Sequence, residues 1–231
     1  TAYDLLFHQL KYGLRVLDRC GNDGLDTRTR DSVYRLFWQY LEALDATDLL
    51  IREGAVRPAR VHGRTLFELG LQLLYLVEQD DEKLAAIYTT ARRREYLASA
   101  ERLEAGSEKR KELQAEARQS KIMDETFVEE LPDQESERKR LKESLQGELW
   151  KKAYEELERI GDKPWYHAYG GAPNLRELAR EMGFPLAYRF FYEGWSRVVH
   201  GRSPEKVLIP DAEAEEVTVR PLRHPQGWES L

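Results

Sequence analysis

The chain has 231 residues, of which 41% are hydrophobic and 34% are charged, so it is polar but can still build a core. Its 36 basic and 42 acidic residues give a net charge of −6, which argues against a large nonspecific nucleic-acid binder but leaves room for a local basic cleft. Cys20 is the single cysteine, so an intramolecular disulfide framework and cysteine-based zinc sites are excluded. We predict a cytoplasmic protein without a membrane span, because a lone cysteine suits a reducing compartment and no run approaches the ~18–20 apolar residues of a membrane helix.

Three helices are predicted in the first eighty residues, because apolar residues recur there at helical spacing. Their ranges are 3–19, 28–52 and 60–79. Gly21 and Gly54 are the predicted stops of the first two. The third is apolar on almost every side, which indicates a helix in the centre of a bundle.

The middle of the chain, residues 80–160, is dense in Glu, Lys, Arg, Gln and Ala, with breaks at Gly106 and at 131–133. We predict two or three long, mostly solvated helices that form a charged hairpin. This hairpin is the candidate surface for a protein partner, and pairing of two copies through it would give a homodimer. Its compact basic run, 92–94, is interpreted as a solvated helix face rather than a binding patch.

After the charged middle, the chain returns to the core. Asn174 and Glu177 have the spacing of a capping box, Gly183 closes that helix, and Pro185 opens the next. Beyond Gly201, two short extended segments are predicted at 207–210 and 217–220. The fold class is therefore all-α, a helical bundle with a charged helical excursion and a short extended tail. The predicted parts are 1–79 and 161–202 for the core, 80–160 for the excursion and 203–231 for the tail.

The candidate functional site is a ladder of residues four apart: Tyr188, Tyr192, Ser196 and His200. Residues at this spacing stack on one face of an α-helix. Two phenols, a hydroxyl and an imidazole need hydrogen-bond partners or a ligand, whereas most buried helix faces are aliphatic. Arg202 follows the helix and adds positive charge near His200.

His200 has two interpretations. It is a general acid or base, because imidazole titrates near neutral pH, or it is a structural histidine that caps its own helix end. Arg64 and Glu68, four apart on the apolar third helix, are likewise an intrahelical ion pair or an anion-binding arginine oriented by a carboxylate. We assign His200, Arg64 and Glu68 as candidate catalytic residues, and Tyr188, Tyr192, Ser196 and Arg202 as candidate substrate-binding residues.

Other constellations point to packing or to no site. The rings between Trp165 and Tyr169 could stack a planar ligand, but core packing is the favoured interpretation. The histidines are scattered without metal-ligand spacing, and no phosphate-cradling glycine loop is present, so neither a metal nor a cofactor is predicted.

Two stretches carry a resemblance to a known family. They are Arg64 to Glu68 followed by an apolar helix, and the late Tyr-x-x-x-Ser-x-x-x-His-Gly helix that contains His200. They resemble the bacterial domain-of-unknown-function family five-six-seven-seven, over roughly the first eighty and last sixty residues. The resemblance implies an all-helical fold and no established activity.

A looser resemblance is to the HEPN domains, helical nucleases of prokaryotic defence and toxin systems. Their Arg and His lie four to six residues apart, whereas Arg197 precedes His200 by three, so a similar site would take its arginine from elsewhere, most simply Arg64. The first hypothesis is a metal-independent RNA-directed nuclease of such a system. The alternatives are a noncatalytic protein- or ligand-binding module with a structural Tyr/Ser/His network, and a small-molecule hydrolase or transferase that uses Ser196 and His200.

Overall fold

The computed structural model describes residues 2–22, 28–104, 106–119, 134–199, 208–211 and 216–219, and the side chains of 4–21, 29–104, 106–119 and 134–196. The described chain is all-α, as the sequence predicts. The helices are α1 Ala2–Asn22, α2 Arg28–Arg52, α3 Val56–Gln79, α4 Glu82–Leu103, α5 Glu108–Gln119, α6 Glu135–Ser144, α7 Glu148–Ile160 and α8 Leu175–Glu181. Among the described residues, no helix combines the length and apolarity that a bilayer span requires.

The last helix consists of three consecutive stretches, Pro185–Ala187, Tyr188–Glu193 and Gly194–Val199, here called the C-terminal helix. Its middle stretch, Tyr188–Glu193, has π-helical hydrogen bonding, and the residues at both junctions keep right-handed helical backbone angles. The two predicted extended segments pair as an antiparallel hairpin, with strand β1 Leu208–Asp211 opposite strand β2 Glu216–Val219.

The chain divides into two compact units. The first unit comprises Thr1–Asp80 and Gly171–Leu231. In it, α1 packs on α2, α2 packs on α3, and α3 also contacts α8 and the C-terminal helix. Leu17, Leu41 and Leu44 form a buried cluster between α1 and α2.

Most predicted helix ends lie within a few residues of the observed ones. The range of α2 is the predicted one, and Gly54, at φ 69°, follows its end in the left-handed conformation that glycine tolerates. Gly21 is not a stop, because α1 continues through it to Asn22. The third helix begins at Val56, four residues before the predicted start, since Pro58 lies within the first turn, where its missing N–H costs no helical hydrogen bond.

The second unit, Asp81–Gly170, contains four described helices rather than the predicted two or three. The additional break is at Gly147, whose φ of 118° separates α6 from α7. The first half of α4 is the apolar centre of this unit, since every residue from Leu84 to Thr90 is buried. The unit is therefore built around a buried helix and is not simply a pair of solvated ones.

Two arginines of the basic run on α4, Arg93 and Arg94, contact neighbouring helices and so depart from the predicted solvated face, whereas the Arg92 side chain is 40% exposed and pairs with Glu95 on the same helix. The Arg93 guanidinium lies 4.6 Å from the ring centre of Trp150 and donates a 2.8 Å hydrogen bond to the Ser144 carbonyl. The Arg94 guanidinium lies over the Tyr154 ring and forms a 2.6 Å ion pair with Glu158. Both arginines stabilise packing inside the second unit, which leaves less of their charge for a ligand.

The rings that follow α7 also pack internally. Trp165 is buried and makes edge-to-face contacts with Tyr88, at 5.3 Å between ring centres, and with Tyr166, at 5.8 Å. Tyr166 is buried too, so these two rings belong to the core of the second unit, as the sequence analysis favours. Tyr169 differs, because it is half exposed and has a φ of 55°.

Candidate functional site

The site lies where the C-terminal helix crosses α3, in the first unit. The Trp195 ring rests directly on Gly63, and a Cβ atom at Gly63 would lie only 2.6 Å from Trp195 Cζ3. Because glycine has no side chain, the indole can lie against the α3 backbone itself. This contact places the residues one turn before Trp195 beside the first turns of α3.

The π-helical stretch brings the two tyrosines of the ladder together. A π-turn holds more residues per turn than an α-turn, so residues four apart become nearly superposed. The rings of Tyr188 and Tyr192 accordingly stack, with centres 4.9 Å apart and planes 21° apart. Phe67 of α3 contacts both rings, at 6.5 and 6.2 Å between centres.

Arg64, Glu68 and Tyr192 form a hydrogen-bonded cluster, hereafter the Arg64 cluster. Arg64 Nε donates to Glu68 Oε1 at 3.2 Å, and Arg64 Nη2 donates to the Tyr192 hydroxyl at 2.7 Å. The guanidinium also lies 4.6 Å from the Tyr192 ring centre. The Arg64 and Glu68 side chains are 23% and 32% exposed, so the cluster is partly open to a ligand.

Protonation in the Arg64 cluster is set by burial and by these partners. Burial, together with the hydrogen bond and charge of Glu68, raises the pKa of Tyr192 to about 12 against the opposing effect of Arg64. Burial acts against the charge of Arg64, but the hydrogen bonds and charges of Tyr192 and Glu68 raise its pKa. At neutral pH the phenol is therefore a neutral hydrogen-bond donor and the guanidinium is a cation.

A second polar pair, which the sequence analysis missed, supports the other tyrosine. Arg176 of α8 forms a 2.6 Å ion pair with Glu193, and its guanidinium lies 5.8 Å from the Tyr188 ring centre. Glu193 lies four residues from both Arg189 and Arg197, a spacing that by itself predicts ion pairs within one helix. The observed pair spans 17 residues and two helices, so no spacing within one helix could reveal it.

An apolar groove adjoins the Arg64 cluster and was also missed. Its volume is about 360 Å³, and Phe67 belongs to both its wall and the aromatic contacts of the cluster. The other lining residues come from α2, α3 and the C-terminal helix with the residue before it: Tyr40, Gly63, Leu66, Gly70, Leu71, Leu74, Phe184, Ala187, Phe191 and Trp195. The signal that could have located it is the pair Gly63 and Gly70, seven residues apart on one face of an otherwise bulky helix.

The structure thus brings together four of the seven predicted site residues: Arg64, Glu68, Tyr188 and Tyr192. Ser196 lies on the same helix as the tyrosines and is half-buried. His200 and Arg202 lie outside the described residues, and His200 directly follows Val199, where the C-terminal helix ends. Within the described part of the chain, no group of three or more His, Cys, Asp or Glu residues could hold a metal ion.

Residues 31–213 match the model of the family of unknown function DUF5677. The chain belongs to this family. The match includes α3, α8 and the C-terminal helix, which carry the site, and it also runs through the charged second unit. The resemblance in the sequence covers roughly the first eighty and last sixty residues, whereas the DUF5677 match adds the charged middle and does not include residues 1–30 or 214–231. No curated protein and no solved structure matches the chain.

Proposed function

We propose that this DUF5677 protein is an RNA-directed nuclease of a cytoplasmic defence or toxin system, and that it cleaves RNA without a metal. The observation that carries the proposal is the 2.7 Å hydrogen bond between Arg64 and Tyr192, two predicted site residues 128 positions apart. It joins a partly exposed cation, with a side chain 23% exposed, to the C-terminal helix, whose last described residue, Val199, directly precedes His200.

Arg64 is suited to hold a phosphodiester. A guanidinium has five N–H donors in a planar fork, so it can hold phosphate oxygens while Nε and one Nη stay bonded to Glu68 and Tyr192. Those two bonds fix the direction of the fork in advance. A cation fixed in this way stabilises the extra negative charge that develops on the phosphate oxygens during cleavage.

The proton transfer is assigned to His200. Tyr192, with its pKa near 12, keeps its proton at neutral pH and can donate a hydrogen bond but cannot act as a base. In the proposed reaction, His200 takes the proton of a ribose 2′-hydroxyl, whose oxygen attacks the adjacent phosphorus. The bond from phosphorus to the 5′-oxygen breaks, and the imidazolium returns its proton to that oxygen. The products are a 2′,3′-cyclic phosphate and a 5′-hydroxyl, while Tyr192 and Ser196 position the phosphate.

A noncatalytic binding module is the second candidate. The observation that favours it is that Glu68 already neutralises Arg64 at 3.2 Å, so the cluster is also complete as a structural network. The binding surface would then lie on the charged second unit, where Tyr96 is 60% exposed among charged neighbours. A protein partner or a second copy would bind there, and Tyr96→Ala would abolish capture while His200→Ala would not.

The deciding experiment compares the wild type with His200→Ala and Arg64→Ala on single-stranded RNA, in the presence of EDTA. Arg189→Ala is the matched control, because it removes an exposed arginine from the C-terminal helix, outside the Arg64 cluster. We expect cyclic-phosphate products from the wild type and the control. We expect losses of about 10²–10⁴-fold in His200→Ala and about 10²–10³-fold in Arg64→Ala. Circular dichroism verifies that each variant is folded, and equal activity in folded wild type and His200→Ala would refute the nuclease.

A further inference from the structure

The apolar groove next to the Arg64 cluster has the features of a site for a flat ring. Five of its lining side chains are aromatic: Tyr40, Phe67, Phe184, Phe191 and Trp195. Its volume of about 360 Å³ lies at the small end of the range for ligand sites, ~300–1,000 Å³, which suits one ring system rather than an extended chain. Phe184 and Phe191 are 41% and 42% exposed, so the groove opens to solvent.

Two glycines of α3, which have no side chains, form the floor of the groove. Gly63 and Gly70 lie seven residues apart, hence on the same face of the helix. The space at Gly63 is taken by the Trp195 ring, whereas a Cβ at Gly70 would lie 3.4 Å from Tyr40 and within the lining of the groove. A larger residue at position 70 would therefore fill the groove without touching the Arg64 cluster.

A cation borders the groove along the helix. Arg64 directly follows Gly63, and Glu68 directly follows Phe67, so the polar cluster occupies the helix face adjacent to the groove. Phe67 contacts both tyrosines and also lines the groove. An apolar ring site with an arginine beside it is complementary to a molecule that joins a flat ring to an anion.

We propose that the groove holds one unpaired base of single-stranded RNA while Arg64 holds the phosphate next to that base. This rests on the proposed function and adds how its substrate is recognised. Stacking on aromatic rings accepts any base, because every base has a π-face, and it excludes double-stranded RNA, whose bases are already stacked and paired. The site would thus select unpaired RNA with little preference for sequence.

The test measures binding of a fluorescein-labelled RNA octamer by anisotropy, with EDTA present and His200→Ala as the background so that no RNA is consumed. Gly70→Leu fills the groove in this background, and Leu49→Ala is the control, since Leu49 is an exposed apolar side chain on α2 outside the groove. We expect Gly70→Leu to weaken binding about 5- to 150-fold, the range for loss of one stacked base, and the control to be unchanged. Fully paired RNA should bind as weakly as the filled variant.

A second measurement separates this inference from the nuclease. Free AMP is titrated while the emission of Trp195 is followed, with Trp195→Phe as the reference that removes that signal. If Gly70→Leu does not change the affinity for the octamer, the proposal that the groove holds a base is refuted, while the proposed nuclease is not. If AMP quenches Trp195, Gly70→Leu abolishes that quenching, and the protein cleaves no RNA, then the base site in the groove is supported and the nuclease is refuted. If neither AMP nor RNA binds, both are overturned.

Discussion

The contact between Gly63 and Trp195 predicts that even a methyl group at position 63 destabilises the first unit. In Gly63→Ala, the new Cβ would lie 2.6, 3.0 and 3.1 Å from three carbons of the indole ring. Carbon atoms pack best at ~3.5–4.0 Å, so the ring must move by about 1 Å. Overpacking of this kind costs about 1–3 kcal/mol in free energy of unfolding, whereas replacing a helical glycine with alanine stabilises by about 1 kcal/mol.

Gly194→Ala isolates the packing effect from the helix propensity. Gly194 has φ −61° and ψ −49°, and apart from its chain neighbours and the nearby backbone of its own helix, no described atom lies within 4 Å of the position of its Cβ. This variant should therefore show only the stabilisation of about 1 kcal/mol. The free energy of unfolding of Gly63→Ala should fall below that of Gly194→Ala by about 1–3 kcal/mol.

Urea denaturation followed by circular dichroism and by tryptophan emission measures both variants. We expect the emission of Gly63→Ala to change in the folded state as well, because the Trp195 ring is displaced. Equal stabilisation by the two substitutions would refute the close contact between α3 and the C-terminal helix. It would also remove the geometric basis for placing Tyr192 beside Arg64.

Two further predictions concern a pair of buried threonines, one in each unit, and a carboxylate of the second unit. Thr90→Val should leave the free energy of unfolding unchanged or raise it by up to about 1 kcal/mol, because Thr90 is fully buried and its hydroxyl has no hydrogen-bond partner among the described residues. Thr47→Val should lower the free energy of unfolding by about 0.5–1.5 kcal/mol in the same urea assay, because the Thr47 hydroxyl donates to the Ala43 carbonyl at 2.7 Å. A Thr90→Val variant that is less stable than Thr47→Val would contradict this reasoning. Glu156 accepts hydrogen bonds from Arg159 and from the Tyr169 N–H, which lower its pKa from 4.5 to about 2. The stabilisation that Glu156 contributes is therefore complete above pH 4.5 and is lost as the pH falls through 2. Glu156→Gln should make the free energy of unfolding depend less on pH between 4.5 and 2. An unchanged pH dependence in this variant would contradict the lowered pKa of Glu156.

The sequence predicts what a single helix determines and misses what depends on packing between helices. The pair Arg64 and Glu68 follows from a spacing of four, and the cap at Asn174 from residue type; its Oδ1 accepts from the Glu177 N–H at 3.0 Å. The bond from Arg64 to Tyr192 depends on the crossing of two helices, which no periodicity encodes. The π-turn is equally invisible, because its residues have the same apolar and polar pattern as an α-helix.

The same limit applies to the second unit. The sequence predicts a break at Gly106 but not at Gly147, although both glycines lie among charged residues and both have positive φ, 75° and 118°. The sequence predicts a solvated face for Arg93 and Arg94, because it does not show the aromatic rings of the neighbouring helix that they contact. Charge density therefore predicts a helix but not whether its arginines stay free.

Arg64 and Glu68 offer the sharpest way to separate a functional cluster from a structural one. The Arg64 and Glu68 side chains are 23% and 32% exposed, and an ion pair with this exposure contributes at most about 1 kcal/mol to the free energy of unfolding. Replacing both partners with apolar residues of similar size is commonly neutral or stabilising. The double variant Arg64→Met, Glu68→Leu should therefore stay within about 1 kcal/mol of the wild type in urea denaturation, whereas Arg64→Met alone leaves the Glu68 carboxylate uncompensated and should be less stable. If the proposed nuclease is right, the stable double variant neither binds nor cleaves RNA, because the phosphate has lost its cation. A double variant that is stable and fully active would show that the cluster only holds the helices together.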